Sequence, residues 1–190
     1  SSTHMRKRMK IEIAGLTETN LKDAPEWETH PFSCKYCIWW EFPEECIDPT
    51  KEKKEDMFKR KLKWLKNVKR KFGDCGKILY VDGKGVGFAE YAPSEFLPHS
   101  KDYDSGPPSE DAVLISCLFI PRKEYRKMGL GTMLLKSIIT DLRKTGVKSI
   151  ETFARRSNPN SPSGPLEFYL KNSFKIYRDA TEFPLVRLDL

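Results

Sequence analysis

The residues best suited to chemistry lie in one short segment, 126–132, which reads Arg-Lys-Met-Gly-Leu-Gly-Thr. Its two glycines, Gly129 and Gly131, have no Cβ atom to keep a ligand away from the backbone N–H groups. A helical pattern of apolar residues begins at Gly131, and a helix N-terminus favours an anion through its N–H groups and its dipole. Basic residues crowd the approach: Arg122, Lys123, Arg126 and Lys127. The segment therefore predicts a phosphate-binding turn.

The spacing of these residues excludes two common phosphate motifs. A P-loop ends in Gly-Lys-Ser/Thr, which this segment lacks, and the six-residue dinucleotide fingerprint does not fit either. Taken alone, two glycines at a helix start are as compatible with a tight strand-to-helix turn as with a ligand site. The neighbouring elements must decide between these two interpretations.

The hydrophobic pattern places the turn between a buried strand and an amphipathic helix. Residues 112–120 form a nearly continuous apolar run, typical of a central strand buried on both faces. Residues 131–145 carry apolar side chains at helical spacing and are followed by Gly146. Other strands are predicted at 10–15, 77–81, 86–91, 147–153, 175–178 and 185–190, and helices at 51–72 and 165–172. This order predicts one mixed α/β layer.

We therefore expect a single domain over residues 5–190, with Ser1–His4 interpreted as the remnant of a cleaved tag. No apolar run approaches the length of a membrane span, and the basic start is followed by too short an apolar stretch for a secretory signal. We expect a cytoplasmic protein. The five cysteines are an odd number, which favours reduced thiols over a disulfide framework.

The net charge of +7 is concentrated in residues 51–72, where eleven basic residues stand against three acidic ones, an excess of eight. Apolar residues recur there at steps of three and four, which predicts a helix with one buried stripe: Phe58, Leu62, Leu65, Val68 and Phe72. Thr50 is a plausible N-cap. The opposite face carries Lys59, Lys63, Lys66 and Arg70. We interpret these as a solvated face rather than a contact for RNA, DNA or an acidic protein, since an amphipathic helix needs no partner.

A second group of residues has the types found in zinc sites: His30, Cys34, Cys37 and Cys46. The Cys-x2-Cys pair is a good chelating half, but the spacing to Cys46 is irregular for a structural site. Small apolar thiols also pack well among the aromatic residues of this segment. We favour packing and assign no metal.

Two motifs give the chain a family resemblance. Arg126-x-x-Gly129-x-Gly131 resembles the Gln/Arg-x-x-Gly-x-Gly/Ala signature of the GNAT acetyltransferase superfamily, and it stands after the fourth strand as in that family. Downstream, residues 168–174 resemble the family's Tyr-x-x-x-Gly-Phe segment, with Ser173 where the family usually has Gly. The stretch from Ile120 to Gly129 is about two residues longer than the commonest spacing. The chain is similar to this family in element order over residues 10–190.

The resemblance implies the fold and the cofactor. The fold is a mixed, mostly antiparallel twisted sheet, split between the fourth and fifth strands and flanked by helices. Acetyl-CoA would lie in the split, with its pantetheine arm along Leu118, Phe119 and Ile120. Its pyrophosphate would contact the turn, whose residues are Arg126, Lys127, Met128, Gly129, Leu130, Gly131 and Thr132. Asn158 or Asn160 would bind the pantetheine, and the long loop around them leaves the choice open.

The resemblance also implies an activity, the direct attack of an amine on the thioester. Tyr169 matches the usual general acid, which protonates the leaving thiolate; it also suits a core position on a short helix. The fourth strand has no carboxylate, so the candidate general bases are Glu90 and Glu151, or a chain of water molecules. Carboxylates on strands are more often solvated or paired than catalytic.

The acceptor is expected to be an amine of a small molecule or a peptide. In this family the segment after the first strand shapes the acceptor side, which suggests that Trp39, Trp40 and Glu41 bind a cationic amine. The alternative is that they pack into the core. Relatives of this kind are commonly dimers. Two rival functions are an idle acyl-CoA-binding module and a nucleic-acid-binding protein that uses the basic helix.

Overall fold

The computed structural model describes residues 9–26, 33–42, 53–156 and 164–190. Seven strands form one sheet in the order β1-β2-β3-β4-β5-β7-β6. The strands are β1 (Ile11–Gly15), β2 (Gly76–Val81), β3 (Lys84–Pro93), β4 (Ala112–Phe119), β5 (Ser149–Phe153), β6 (Lys175–Arg178) and β7 (Leu185–Asp189). The helices are α1 (Lys54–Lys71), α2 (Lys123–Arg126), α3 (Leu130–Lys144) and α4 (Leu166–Lys171).

Local sequence accounts for the central elements. Asp82 and Gly83 both have positive φ, so they form the two-residue turn that joins β2 to β3 as an antiparallel hairpin. Every residue of β4 is buried, as expected of its continuous apolar run. Gly129 is the N-cap of helix α3, and its φ of 74° lies in the left-handed region that glycine tolerates.

Among the described strands one pair is parallel, and its pairing is short. Ala112–Ile115 of β4 pairs with Ser149–Thr152 of β5, after which the two strands separate. On its other edge β4 continues along β3, where Glu90 faces Cys117 and Tyr91 faces Ile115. Ser116 is therefore the additional residue of a β-bulge, located where β4 leaves β5. These pairings confirm the predicted fold class, a mixed, mostly antiparallel sheet split between the fourth and fifth strands.

Each face of the sheet carries its own apolar core. On one face α3 and α4 pack against the strands through residues such as Leu134, Ile138 and Tyr169. On the other face α1 and the 33–42 segment contribute Trp40, Trp64 and further residues. We refer to these as the α3 face and the α1 face. No helix in the part of the chain described here combines the length and hydrophobicity needed to cross a bilayer.

Helix α1 corrects one prediction. Its buried residues are Met57, Lys61, Trp64, Leu65 and Val68, whereas the expected Phe58, Leu62 and Phe72 are only half-buried. The helix is rotated because Lys61 points into the interior, where two carboxylates bind it. The predicted solvated residues are exposed, as expected: Lys59, Lys63, Lys66 and Arg70. The predicted cap, Thr50, lies outside the described residues.

Candidate functional site

A cavity of about 280 Å³ opens where β4 ends and α3 begins. It is lined by Leu118, Phe119, Ile120, Arg126, Gly129, Gly131, Thr132, Gly164, Pro165 and Phe168. The first seven were predicted to bind the cofactor, and the structure brings them together. The last three belong to the start of α4 and were not predicted. Of the other predicted residues, Leu130 has a buried side chain, Lys127 is exposed and Asn158 lies outside the described residues.

The wall formed by α3 presents backbone donors. The first intrahelical bond runs from Met133 N–H to the carbonyl of Gly129, and no side chain of the described residues caps the helix. The N–H groups of the first turn therefore face the cavity without a helical acceptor. A Cβ atom at Gly131 would lie 3.5 Å from the Phe168 ring across the opening. The arrangement suits an anion at this helix terminus.

Arg126 fastens the end of β4 to this turn. Its Nε donates to the Ile120 carbonyl at 2.8 Å, and its Nη2 donates to the Pro121 carbonyl at 2.9 Å. Helix α2 occupies the stretch between Ile120 and Gly129, and this helical turn accommodates the long spacing noted in the sequence. Arg126 thus holds the shape of the turn as well as lining its cavity.

Tyr169 lies behind the cavity wall on the α3 face. It is 0 % exposed, and a Cβ atom at Gly164, one of the lining residues, would lie 3.3 Å from its hydroxyl. Among the described residues that hydroxyl has no hydrogen-bond partner. Burial raises the pKa of Tyr169 above its usual range, and the nearby Thr152 hydroxyl lowers it in part. The hydroxyl is therefore a neutral, buried group close to Thr152, the last residue of β5 that pairs with β4.

Glu151 is buried in a different environment. Its Oε1 accepts from Ser109 N–H at 2.7 Å, and its Oε2 accepts from the Ser109 hydroxyl at 2.8 Å and from Arg187 Nη1 at 2.9 Å. In register it faces Leu114, which is four residues, or about 13 Å, along β4 from Leu118 of the cavity. The structure thus places this candidate base in a satisfied ion pair away from the cavity.

Glu90 belongs to a buried ionic cluster on the α1 face. Lys61 Nζ contacts Oε1 of Glu90 and, at 2.5 Å, Oε1 of Glu41. The same ammonium donates to the carbonyl of Cys37 at 2.9 Å. The Ser116 hydroxyl donates to Oε2 of Glu90 at 2.6 Å. The four side chains come from the 33–42 segment, α1, β3 and β4. We call this group the Lys61 cluster.

Glu41, which was predicted to contact the acceptor, lies in the Lys61 cluster. Its side chain has no exposed surface and is paired with Lys61 instead. Burial, followed by the charge of Glu90, raises the pKa of Glu41 from its ordinary value of 4.5 to about 8. The nearby Lys61 ammonium opposes this shift only in part. Glu41 is thus a buried proton-binding group rather than a surface anion.

The two tryptophans have different environments. Trp40 is buried and stacks on Tyr103, with ring centroids 5.4 Å apart, so it packs in the core. Trp39 is 41 % exposed and stacks on His99. Trp39 also lines a second cavity of about 560 Å³, together with Asp102, Tyr103, Asp104, Ala180, Thr181, Glu182 and Phe183. Of the predicted acceptor residues, only Trp39 lines this cavity.

The cysteines of the 33–42 segment lie near β4. Cys34 and Cys117 are buried as free thiols, and burial raises the pKa of Cys34. The described residues contain no group of three or more side chains arranged to hold a metal ion. His30 and Cys46, the outer members of the zinc pattern considered above, lie outside the described residues.

Comparisons with solved structures give the fold a context. The chain is similar to PaiA N-acetyltransferase from Thermoplasma acidophilum, solved in complex with coenzyme A, with 16% identity, a TM-score of 0.57 and coverage of 95% of this chain and 99% of that one. An N-acetyltransferase from Staphylococcus aureus Mu50 matches with 13% identity, a TM-score of 0.59 and coverage of 95% and 98%. The ribosomal-protein-S18-alanine N-acetyltransferase from Escherichia coli matches with 17% identity, a TM-score of 0.50 and coverage of 95% and 94%.

At these identities the structural neighbours show the fold alone. No curated protein matches the sequence. The profile of the acetyltransferase (GNAT) family matches residues 26–174, which include the glycine turn, the cavity and Tyr169. This match confirms the resemblance predicted from two motifs: the chain belongs to the acetyltransferase (GNAT) family.

Proposed function

We propose that the chain is an N-acetyltransferase that transfers the acetyl group of acetyl-CoA directly to an amine of a small molecule or protein. GNAT acetyltransferases use acetyl-CoA and act on amine acceptors. The observation that carries the proposal is the cavity at the end of β4, because it joins the split of the sheet to the N-terminus of α3. A long, phosphorylated ligand could occupy the split and place its phosphates at the helix N-terminus.

The two ends of the cavity suit the two ends of the cofactor. The N–H groups at the start of α3 bind the pyrophosphate, and Gly129 and Gly131 keep side chains away from it. The pantetheine arm then follows the backbone of Leu118 and Ile120 into the split. This path would direct its thioester toward the point where β4 and β5 separate, after Ile115.

Tyr169 supplies the acid for the leaving thiolate. Its hydroxyl keeps its proton because burial raises its pKa, and no described residue takes up that proton by hydrogen bonding. The protonated phenol is therefore available to give its proton to the thiolate as the thiolate leaves. The amine approaches from the α1 face, where Trp39 and the carboxylates of Asp102 and Glu182 line a cavity suited to a cation.

Thiol release with a panel of polyamines, aminoglycosides, amino acids and peptides tests the activity. The wild-type protein should release coenzyme A with at least one acceptor. No release with any of them, despite measurable coenzyme A binding, would replace the proposal with an idle binding module. Trp39→Leu should raise the KM for that acceptor severalfold and leave the KM for acetyl-CoA unchanged; the reverse pattern would place Trp39 elsewhere.

Two substitutions test the site itself. Gly131→Val places a branched side chain in the cavity opposite Phe168 and should abolish coenzyme A binding, whereas Gly15→Val, at an open position on β1, should not. Tyr169→Phe should lower kcat by about 10²-fold or more and leave stability unchanged, because the lost hydroxyl has no described partner. Equal kcat values in the two proteins would exclude Tyr169 as the acid.

A further inference from the structure

The Lys61 cluster has an uneven charge count. It contains two carboxylates and one ammonium, and the side chains of Glu41, Lys61 and Glu90 are at most 2 % exposed. With both carboxylates ionised, the cluster holds one excess negative charge inside the protein. Burial disfavours such a charge and therefore favours the uptake of one proton. The cluster is thus a binding site for a single exchangeable proton.

The groups around the cluster do not alter this count. Four thiols influence it, and burial raises the pKa of three of them, so that these remain neutral: Cys34, Cys37 and Cys75. The fourth, Cys117, lies opposite Glu90 in the sheet. The Trp64 ring lies 5.4 Å from Lys61 Nζ and adds no charge. One carboxylate oxygen, Oε2 of Glu41, lacks a hydrogen-bond partner among the described residues.

The cluster reaches the point where the split begins. Ser116 is the bulge residue directly after Ile115, the last residue of β4 that pairs with β5. Its hydroxyl connects this point to Glu90. On the other side of the same point, Thr152 of β5 donates to the carbonyl of Ile115 at 2.8 Å and lies near Tyr169. The general acid and the cluster therefore flank the end of the split from opposite faces.

We propose that the Lys61 cluster accepts the proton that the acceptor ammonium must lose, with Ser116 relaying it to Glu90. The Ser116 oxygen takes a proton from the ammonium while its own proton passes to Glu90. The free amine then attacks the thioester, Tyr169 protonates the departing thiolate, and the second amine proton restores Tyr169. One proton remains on the cluster and is later released to solvent. Lys61 and Glu41 are positioning residues, because they set the charge of the cluster that receives the proton.

This inference rests on the proposed function, and the pH dependence of kcat at saturating substrates tests both. The variants are Ser116→Ala, Ser116→Thr, Glu41→Gln and the control Ser149→Ala, which removes another buried hydroxyl at the far end of the parallel pair. Ser116→Ala should lower kcat by about 10²-fold with an unchanged KM for acetyl-CoA. Ser116→Thr, which keeps the hydroxyl, should restore most of the rate, and the control should match the wild-type protein.

Glu41→Gln gives a result that a purely structural role would not. It removes the excess negative charge, so the rising limb of the kcat profile should move to lower pH. Thermal unfolding verifies that each variant is folded. If the wild-type protein and Ser149→Ala release no thiol, the proposed function fails, and the relay fails with it. If the wild-type protein and Ser149→Ala are active, two results would contradict the relay alone. One is an unchanged kcat in Ser116→Ala, and the other is an unchanged pH for the rising limb of kcat in Glu41→Gln.

Discussion

Two glutamates on central strands of the sheet, Glu90 and Glu151, are equally buried and were equal candidates for the general base. Among the described residues Glu151 pairs with one cation, Arg187, and both of its oxygens accept hydrogen bonds. Glu90 shares its cation, Lys61, with a second carboxylate, Glu41, one of whose oxygens lacks a hydrogen-bond partner among the described residues. Burial and residue type therefore do not distinguish a structural carboxylate from a proton-exchanging one. The number of cations and carboxylates in direct contact with each glutamate does distinguish them.

The largest expected effect comes from removing the shared cation. Lys61→Met leaves two buried carboxylates without a counter-charge and should lower the free energy of unfolding by about 3–5 kcal/mol. Lys63→Met, an exposed lysine two residues away on α1, should change it by less than about 0.5 kcal/mol. Urea unfolding of both variants measures the difference. Similar values for the two would mean that the cluster is not held by charge.

Removing the other cation should cost less. Arg187→Met deprives Glu151 of its charge partner, but Ser109 still donates two hydrogen bonds and the Arg187 position is partly open to solvent. We expect a loss of about 2 kcal/mol, with thiol release per folded molecule within about twofold of wild type. Asp111→Asn, at the exposed partner of Arg187, is the matched control. A shifted pH profile in Arg187→Met would give Glu151 a part in the reaction.

The two sites should also respond to pH in opposite directions. Because the pKa of Glu41 is raised from 4.5 to about 8, the folded state holds a proton that the unfolded chain has released over this range. Stability should therefore fall as pH rises through this window, by at most about 1.4 kcal/mol per pH unit, and Glu41→Gln should flatten the slope. Arg187 lowers the pKa of Asp111, so the contribution of that pair is lost as pH falls. Thermal unfolding between pH 2 and 9 tests both signs, because the Asp111 contribution is lost only below its ordinary pKa of 3.8.

The smallest effect is expected at Ser109. Ser109→Ala removes one of three hydrogen bonds to Glu151, the one from the hydroxyl, and should lower stability by about 1 kcal/mol. Its backbone N–H and Arg187 remain, so no charge is left unpaired. The kcat of this variant should equal that of wild type, in contrast to Ser116→Ala. Chemical unfolding and thiol release on the same sample make the comparison.

Local signals allowed the α3 face to be predicted. The left-handed φ at Gly129, the helix start after it and the buried run of β4 all depend on neighbouring residues, and seven predicted residues line one cavity. Phe168 and Gly164 were missed because their approach to Gly131 and Tyr169 depends on how α4 docks. The short sequence of α4 does not indicate how that helix packs against the rest of the protein.

The α1 face was predicted less well, because its contacts join distant segments. Glu41, Lys61, Glu90 and Ser116 are separated by 20 to 29 residues, and no spacing rule pairs them. One sign was present: Lys61 follows Met57 by four residues and precedes Leu65 by four, so it shares their buried side of the helix. A cation at such a position needs an internal carboxylate. Trp39 and Trp40 could not be told apart, since adjacent residues of a turn have no fixed orientation.

The brief parallel pairing of β4 with β5 has a mechanical consequence. Only four residue pairs join the half-sheet β1–β4 to the half-sheet β5–β7 through the described strands. If pantetheine binds along Leu118 and Ile120, as proposed, it would connect the two half-sheets where β4 and β5 are not paired. Bound coenzyme A should therefore raise the melting temperature. At a ligand concentration one hundred times Kd, binding adds about 2.7 kcal/mol to the free energy of unfolding. Amide hydrogen exchange should slow most on both sides of the seam, at Leu118 of β4 and Phe153 of β5.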